Sequence, residues 1–335
     1  MFTIAMLAVP APQAAACDIC AIYTGSLMQQ DKTGFWLGLG QQYSDFGSVR
    51  TDDRSVPNSH DEWLRSSITQ VVAGWSFTPK LGLQVNVPLI SREYKRVEEG
   101  ISVRGDENGF GDISVLGRFI PFSGNVREAL IHVELMAGIK TPTGDSDRLA
   151  EELGEEEEEE HGEGHLRTMM AGTQAGLSRR LRHEEHHSAV HGHDLALGSG
   201  SVDGVFGLNF YAAWKRLFFG AQLQYARRAS GDYDYGFADD LTWIGGPGFY
   251  VFTEHRYTGA LQFVISGEDK GKDVQQGTVL DDTAITAVYL GPGLSFTWMD
   301  SLSAQFAVDL PVVQDVTGTQ IVPDYRLRGG VTWRF

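Results

Sequence analysis

The stretch "ALIHVELMAGIK", residues 129–140, alternates between two kinds of side chain. His132, Glu134 and Lys140 stand at even positions, and small or apolar side chains stand at the odd positions. Neighbouring side chains of a β-strand point to opposite faces, so a period of two predicts a strand with one apolar and one polar face. The stretch "LGLQVNVPL", residues 81–89, repeats the pattern.

Twelve such segments can be placed along the chain, and the joints between them alternate in length. The joints after even-numbered segments are short ("PK", "SGNV", "R", "TEHR", "MD"), whereas those after odd-numbered segments are long. Bacterial outer-membrane barrels have this asymmetry, with an even number of strands, short periplasmic turns and longer outside loops. The sequence therefore predicts an all-β fold, a transmembrane antiparallel β-barrel of about 12 strands spanning 34–335, in the outer membrane of a Gram-negative bacterium. The predicted strands are 34–45, 64–77, 80–91, 110–122, 127–140, 203–215, 217–227, 240–252, 257–267, 284–298, 301–314 and 325–335.

Aromatic residues mark the short-joint end of every even-numbered strand. Aromatic rings favour the boundary between hydrocarbon and water, so such a ring predicts an interfacial girdle in contact with outer-membrane lipid. The last stretch, "DYRLRGGVTWRF" (324–335), alternates up to a terminal Phe, the type of C-terminal signal that barrel-assembly machinery recognises. The predicted girdle residues are Trp75, Phe77, Phe119, Phe122, Trp214, Phe252, Trp298, Trp333 and Phe335.

The first twenty residues read "MFTIAMLAVPAPQAAACDIC". An apolar run followed by Ala14-Ala15-Ala16 predicts a signal peptide over 1–16, with a buried apolar strand as the alternative. Residues 17–33 would then form a periplasmic segment containing Cys17 and Cys20. The residue after Cys20 is Ala21 and not His, which excludes c-type haem attachment. A disulfide, a soft-metal or redox contact, and lipidation of Cys17 all stay open.

Negative charge is concentrated in one segment. The formal net charge is −17, which argues against a nucleic-acid partner. The six glutamates Glu155–Glu160 and most of the histidines lie within 143–200, which we predict to be a disordered, acidic, His-rich loop outside the cell. Imidazole and carboxylate groups bind zinc, copper and other divalent cations, so we expect weak capture of several ions, with plain solvation as the alternative. The candidate ligands are His161, His165, His183, His186, His187, His191 and His193.

The string "HEEHH" (183–187) formally fits the HExxH metalloprotease pattern. A low-complexity loop with no third ligand does not support a protease. The chain shows no nucleophile elbow, phosphate-binding loop or convincing acid–base pair, so we expect no enzymatic activity. A lipid hydrolase would need a Ser/His/acid set at the rim, and none is found in the sequence.

The polar parity of the strands predicts the side chains that line the barrel interior. Arginines occur there together with Glu134 and Asp309. Two interpretations stay open: ion pairs that satisfy polar groups inside the barrel, or a constriction that selects anionic or aromatic solutes. The key candidates are Arg118, His132, Glu134, Asp309, Arg326 and Arg328, accompanied by Gln84, Asn86, Asp112, Lys140, Asn209, Gln222, Gln224, Gln262 and Arg334.

Four stretches carry a family resemblance: "GFGDISVLGRF", "AGIKTPTGDSD", "LGSGSVDGVFGLNF" and "VDLPVVQDVTGTQ". With the final "YRLRGGVTWRF" they resemble the outer-membrane transporter family associated with the phenol meta-cleavage degradation pathway. The resemblance covers about 80–142 and 198–335 and implies a barrel that passes small, often aromatic, molecules. The expected function is an outer-membrane pore for a small solute, aromatic or metal-related, with a cation-binding outside loop. The alternative is a non-transporting barrel that binds divalent metal or docks a partner.

Overall fold

The computed structural model describes residues 33–98, 100–153, 188–254, 256–299 and 301–335. The predicted signal peptide lies outside these residues, and so do Cys17 and Cys20. The same holds for five of the seven candidate loop histidines: His161, His165, His183, His186 and His187. Within the described ranges, no helix is long and apolar enough to cross a lipid bilayer.

The described residues form seventeen strands, and twelve of these form a closed antiparallel barrel. Each barrel strand pairs with the next one along the sheet, and the last strand pairs with the first in register from Trp36 opposite Arg334 to Thr51 opposite Thr319. The strands are β1 (Gly34–Thr51), β2 (Arg54–Val56), β3 (Trp63–Ser76), β4 (Leu81–Glu98), β5 (Ile101–Phe110), β6 (Ser114–Val126), β7 (Ala129–Lys140), β8 (Asp203–Trp214), β9 (Leu217–Arg227), β10 (Tyr235–Gly236), β11 (Asp240–Thr253), β12 (Tyr257–Lys270), β13 (Val274–Gln275), β14 (Thr278–Val279), β15 (Ile285–Trp298), β16 (Leu302–Val316) and β17 (Thr319–Arg334).

Five strands lie outside the barrel wall proper. β2 turns back and pairs with the last residues of β1, and β5 pairs with the upper half of β4. β10, β13 and β14 form a separate three-stranded sheet at the long-joint end. The helical pieces whose bounds lie within the described residues are short: 3₁₀ turns at Asp147–Ala150 and Asp232–Asp234, and the α-helix α1 (Gly192–Leu195).

The two faces of each barrel strand differ as the alternation predicts. On β4, Leu81, Leu83 and Leu89 face outward and are exposed, whereas Gln84 and Asn86 face the interior and are buried. A closed sheet pairs its backbone groups internally, so its apolar outer face can contact lipid without unsatisfied edges. The closed barrel with its apolar exterior lies in the outer membrane, and its short-turn end is the periplasmic one.

The predicted aromatic girdle is confirmed. All nine predicted aromatic side chains are exposed, from Phe252 at 38% to Phe335 at 65%, and they lie at the short-turn end. Phe35 joins them from the start of β1, with its ring 5.9 Å from that of Phe335. A ring of exposed aromatic side chains at one level anchors the barrel at the membrane interface.

The strands extend further beyond the apolar belt than predicted. The expected long loop 92–109 is mostly a hairpin of β4 and β5, and the expected loop 315–324 reduces to a tight turn at 317–318. The outward side chains of this upper region are polar, for example Ser91, Glu93 and Lys95. Where the outer face of a strand is polar, the sequence shows no alternation of apolar and polar side chains. The alternation pattern therefore predicts strands that end too early.

The barrel wall contains a seam between β16 and β17. Their ladder runs from Leu302 opposite Trp333 to Asp309 opposite Arg326 and stops there. Above that point β16 continues to pair with β15, and β17 continues to pair with β1. Pro311 of β16 and Pro323 of β17 lie where these two strands no longer pair with each other. Proline has no N–H to donate to a ladder. The Gln314 side-chain amide donates to the Pro323 carbonyl oxygen at 2.6 Å and bridges the seam.

We expect Val85→Lys to destabilise the folded barrel by about 2–4 kcal/mol, because Val85 lies in the middle of the outward apolar run of β4 and lysine is costly at the bilayer midplane. Guanidinium titration in phospholipid vesicles measures this loss. Ser91→Lys is the matched control, since it places the same charge on the same face above the belt and should cost about 1 kcal/mol or less. Equal losses for the two variants would contradict the assigned belt.

Candidate functional site

One side of the barrel interior is filled by side chains. Trp36 projects inward from β1 and is fully buried. Gly74 on β3 makes room for it, because a Cβ at that position would lie 2.1 Å from the indole ring. The Arg118 guanidinium lies 5.2 Å from the Trp36 ring and forms an ion pair with Glu134, which also accepts from Asn209 at 2.9 Å. These contacts close this side of the interior.

The other side of the interior contains a cavity of about 220 Å³. It is bordered by residues of eight strands, from β9 round to β3, and most of its polar lining is uncharged. An engineered cavity of about 150 Å³ is large enough to bind benzene. The cavity therefore has room for a single-ring solute. Its uncharged polar lining consists of Gln42, Gln70, Gln222, Gln262 and Gln305 together with Thr242, Ser266 and Ser295.

Two ion pairs form the charged part of the cavity wall. Arg326 pairs with Glu268 at 2.6 Å and stacks over the Tyr289 ring at 4.4 Å. Arg328 pairs with Asp309 at 2.5 Å. Each arginine on this wall therefore has a carboxylate opposite it, and together the two pairs contribute no net charge to the cavity.

The ends of the segment predicted to be a disordered outside loop fold back into the barrel. Leu149, Val190 and Leu195 are almost completely buried there. We call the two ends, 143–153 and 188–201, the plug. For these residues the prediction of disorder is wrong, because their apolar side chains pack against inward residues of the barrel. The part of the predicted loop within 154–187 lies outside the described residues.

Asp112 holds both ends of the plug. It lies at the break between β5 and β6 and is buried. One carboxylate oxygen accepts from the backbone N–H groups of Thr143 and Gly144 at 3.1 and 3.0 Å. The other accepts from the Ser199 backbone N–H at 2.9 Å and from the Lys140 ammonium at 2.7 Å. A single carboxylate thus fixes the point where the plug leaves and re-enters the wall.

The two plug ends cross at a pair of glycines. A Cβ on Gly144 would lie 2.6 Å from the Leu197 carbonyl oxygen, and a Cβ on Gly198 would lie 2.6 Å from the Gly144 backbone. Beyond the crossing, Leu197 packs on Ile68 and Ile90. Ile68 also lines the cavity, so Leu197 contacts a residue of the cavity wall.

A barrel arginine supports the plug from below. Arg92, inward on β4, donates to the carbonyl oxygens of Asp194 and Ala196, the latter at 2.8 Å. Both carbonyls belong to the C-terminal end of α1, which leaves its last carbonyls without intrahelical partners. The guanidinium satisfies two of them and fixes the short helix over the cavity.

A buried cluster of three potential metal ligands joins the two plug ends. Glu152 accepts from the backbone N–H of His193 at 2.7 Å, and its oxygen lies 3.0 Å from His193 Nδ1. The rings of His191 and His193 stack with centroids 5.3 Å apart. His191 Nε2 lies 3.2 Å from the Thr319 carbonyl oxygen of β17.

The cluster carries shifted pKa values. Burial lowers the pKa of His193, but the carboxylates of Asp194 and Glu152 more than reverse this and raise it from 6.5 to about 9. Burial raises the pKa of Glu152, but His193 more than reverses this and lowers it from 4.5 to about 2. In the absence of a metal, both partners are therefore charged near neutral pH.

The structure places the predicted interior residues on the inward face and brings several of them together. Arg118 and Glu134 form one pair and Arg328 and Asp309 another, whereas His132 is buried on β7 apart from the cavity lining. Glu152 and Glu268 were missed by sequence reasoning, as was most of the glutamine lining. Glu268 lies on the same face of β12 as the predicted Gln262. Continuing the alternation beyond residue 267, where the predicted strand ends, would have identified it.

No protein-family model matches the chain, and no curated protein matches it. Solved structures do match. The outer membrane channel from Pseudomonas putida F1 has a TM-score of 0.58 at 12% identity, covering 94% of this chain and 100% of that chain. The β domain of the Bordetella autotransporter BrkA scores 0.44 at 9% identity (91% and 100%), and the P. putida toluene transporter TodX scores 0.38 at 10% (91% and 91%).

The similarity to the Pseudomonas putida F1 channel establishes the fold. Together with the closed twelve-stranded sheet and its apolar belt, it defines the class of this chain as an outer-membrane β-barrel.

We expect the plug to be held less firmly at alkaline pH in EDTA-treated protein. Because the pKa of His193 is raised in the folded plug, its ion pair stabilises the plug fully below pH 6.5. This stabilisation is lost as the pH rises to about 9. Because the pKa of Glu152 is lowered in the folded plug, its ion pair stabilises the plug fully above pH 4.5. This contribution is lost as the pH falls to about 2. Hydrogen exchange of amides 189–197, corrected for intrinsic rates, should show more protection at pH 6 than at pH 9.5.

His193→Gln is the control for this effect. It removes the titrating group, so protection of the same amides should then change little between the two pH values. Equal protection of the wild-type plug at pH 6 and pH 9.5 would contradict the assigned ion pair.

Proposed function

We propose that this protein is an outer-membrane pore for a small solute of about single-ring size, with the plug as its outside gate. The observation that carries the proposal is the 220 Å³ cavity inside the closed barrel, which is lined by glutamine amides and whose wall residue Ile68 contacts Leu197 of the plug. Amide groups both donate and accept hydrogen bonds, so they can replace water around a polar solute. The paired arginines leave this part of the lumen without a strong net field.

The chemistry of the lining favours a ring that carries hydroxyl, carbonyl or carboxylate groups. Ile244 and Val264 add apolar surface between the amides, which suits the faces of a ring. An aromatic solute, which the family resemblance implies, fits this combination of amides and apolar side chains. A non-transporting barrel that docks a partner is the competing function, and solute flux separates the two.

Further expectations remain proposals alongside the pore. Export by residues 1–16, insertion by barrel-assembly machinery, a disulfide or soft-metal contact at Cys17 and Cys20, and cation capture by the segment 154–187 are all consistent with an outer-membrane protein. Each is supported by sequence pattern. None of them is needed for the argument from the cavity.

We expect Ser295→Trp to reduce solute flux at least about tenfold, because the indole would project from β15 into the cavity. The measurement is flux of a cyclic polyol and of a benzoate into proteoliposomes. Val251→Trp is the matched control, since it places the same ring on the exposed outer face and should leave flux unchanged. Replacing 143–200 with a short Gly/Ser linker should raise flux by removing the plug.

Two results would overturn the pore. One is no flux through either the wild-type protein or the plug-less variant, with both shown to be folded by heat-modifiable migration. The other is flux that is the same in Ser295→Trp as in the wild type.

We expect Arg328→Gln to shift ion selectivity toward cations, because Asp309 is 1% exposed and would lose its partner next to the cavity. The reversal potential across a planar bilayer in a KCl gradient measures the shift. Arg328→Lys keeps the charge and is the matched control. Unchanged selectivity in Arg328→Gln would mean that the pair satisfies polar groups without filtering solutes.

A further inference from the structure

We propose that Glu152, His191 and His193 form a site for one divalent transition-metal ion of the zinc class within the plug. One carboxylate oxygen and one nitrogen of each imidazole lie within 4.8 Å of one another, and all three residues are buried. Two imidazoles and one carboxylate are a donor set that Zn²⁺ accepts, with a fourth position left for water. The site is independent of whether the lumen conducts.

The outer nitrogens of both imidazoles face oxygen atoms, His191 Nε2 at hydrogen-bond distance and His193 Nε2 at a longer ion-pair distance. His191 Nε2 lies 3.2 Å from the Thr319 carbonyl oxygen, and His193 Nε2 lies 3.6 Å from Asp194 Oδ1. A metal-bound histidine usually directs its second ring nitrogen to a carbonyl or carboxylate, which fixes the tautomer and the ring orientation. This arrangement assigns the two Nδ1 atoms as the metal ligands.

Both Nδ1 atoms face carboxylates. His193 Nδ1 lies 3.0 Å from Glu152 Oε1, and His191 Nδ1 lies 3.6 Å from Asp282 Oδ2. In a tetrahedral zinc site with bonds of about 2.0–2.1 Å, neighbouring ligand atoms are about 3.3 Å apart. The Glu152–His193 pair is already at that spacing, so small side-chain rotations of His191 complete the set.

The Glu152–His193 ion pair involves two of the three residues, and His191 makes a longer contact of 3.6 Å with Asp282. His193 and Glu152 form a complete pair, yet a second imidazole stacks on His193 at 5.3 Å. A second positive charge there would repel the first, so His191 adds nothing to the ion pair in protonated form. A metal ion uses both imidazoles in their neutral form and takes the place of the proton.

The three ligands flank the acidic segment 154–187 along the chain. Glu152 precedes 154–187, and His191 and His193 follow it, while Thr319 ties the cluster to β17. A metal at this point links both plug ends to the barrel wall. It stabilises the plug by mass action, and this stabilisation grows with the logarithm of the free metal concentration once the site is mostly filled.

The experiment uses the full chain in detergent micelles, stripped with EDTA and titrated calorimetrically with ZnCl₂. A background variant carries glutamine at positions 161, 165, 183, 186 and 187, which removes the five histidines of the intervening segment. We expect this variant to keep one saturable zinc site. In the same background, Glu152→Gln or His193→Gln should weaken that site at least about 100-fold, more than loss of an outer partner costs. His60→Gln is the control and should bind as the background does.

Cobalt(II) gives a second readout that does not depend on the ligand variants folding. The background variant loaded with Co²⁺ should show the intense visible absorption of a four-coordinate ion. The proposal is overturned by absence of a saturable site or of this absorption in the background variant. It is also overturned if the site survives His191→Gln combined with His193→Gln in protein that still shows heat-modifiable migration.

Discussion

The structure depends on closure of the sheet between β1 and β17. Lipid offers no hydrogen-bonding partners, so an open sheet edge inside the membrane would leave backbone N–H and C=O groups unsatisfied. The register from Trp36–Arg334 to Thr51–Thr319 removes both edges at once. Closure also fixes which of the two alternating sets of side chains on each strand faces lipid and which faces the interior. The ladder between β16 and β17 opens above Asp309 and Arg326, where Pro311 and Pro323 have no N–H to donate.

A closed barrel of twelve strands creates an interior that its side chains must either fill or leave as a cavity. On one side Trp36 and the Arg118–Glu134 pair fill it. On the other side glutamines and small polar residues leave 220 Å³ free. Each cavity arginine is paired because a buried guanidinium without a counter-charge is costly. The same pairing that stabilises the wall therefore also keeps the cavity close to neutral.

The plug is anchored where the chain passes from β5 to β6. Residues 111–113 between β5 and β6 are not in a strand. There the Asp112 carboxylate accepts hydrogen bonds from backbone N–H groups at both ends of the connection between β7 and β8. Gly144 and Gly198 allow those ends to cross, and Leu197 then reaches Ile68 above the cavity. Glu152, His191 and His193 join the ends again at a higher point. The proposed gate and the proposed metal site both lie on this one connection, which folds inward.

The sequence by itself determined the barrel, the strand number, the girdle and the inward parity, because a period of two is written into each strand and depends on no distant residue. It also placed Arg118, Glu134, Asp309, Arg326 and Arg328 inside. It could not show that Glu268 faces Arg326, or that Glu152 meets His191 and His193, because these contacts join positions far apart in the chain. It assigned both plug ends to a disordered outside loop, since their short apolar stretches are buried by side chains of other strands. The tertiary structure alone decided the plug, the cavity and the ligand cluster.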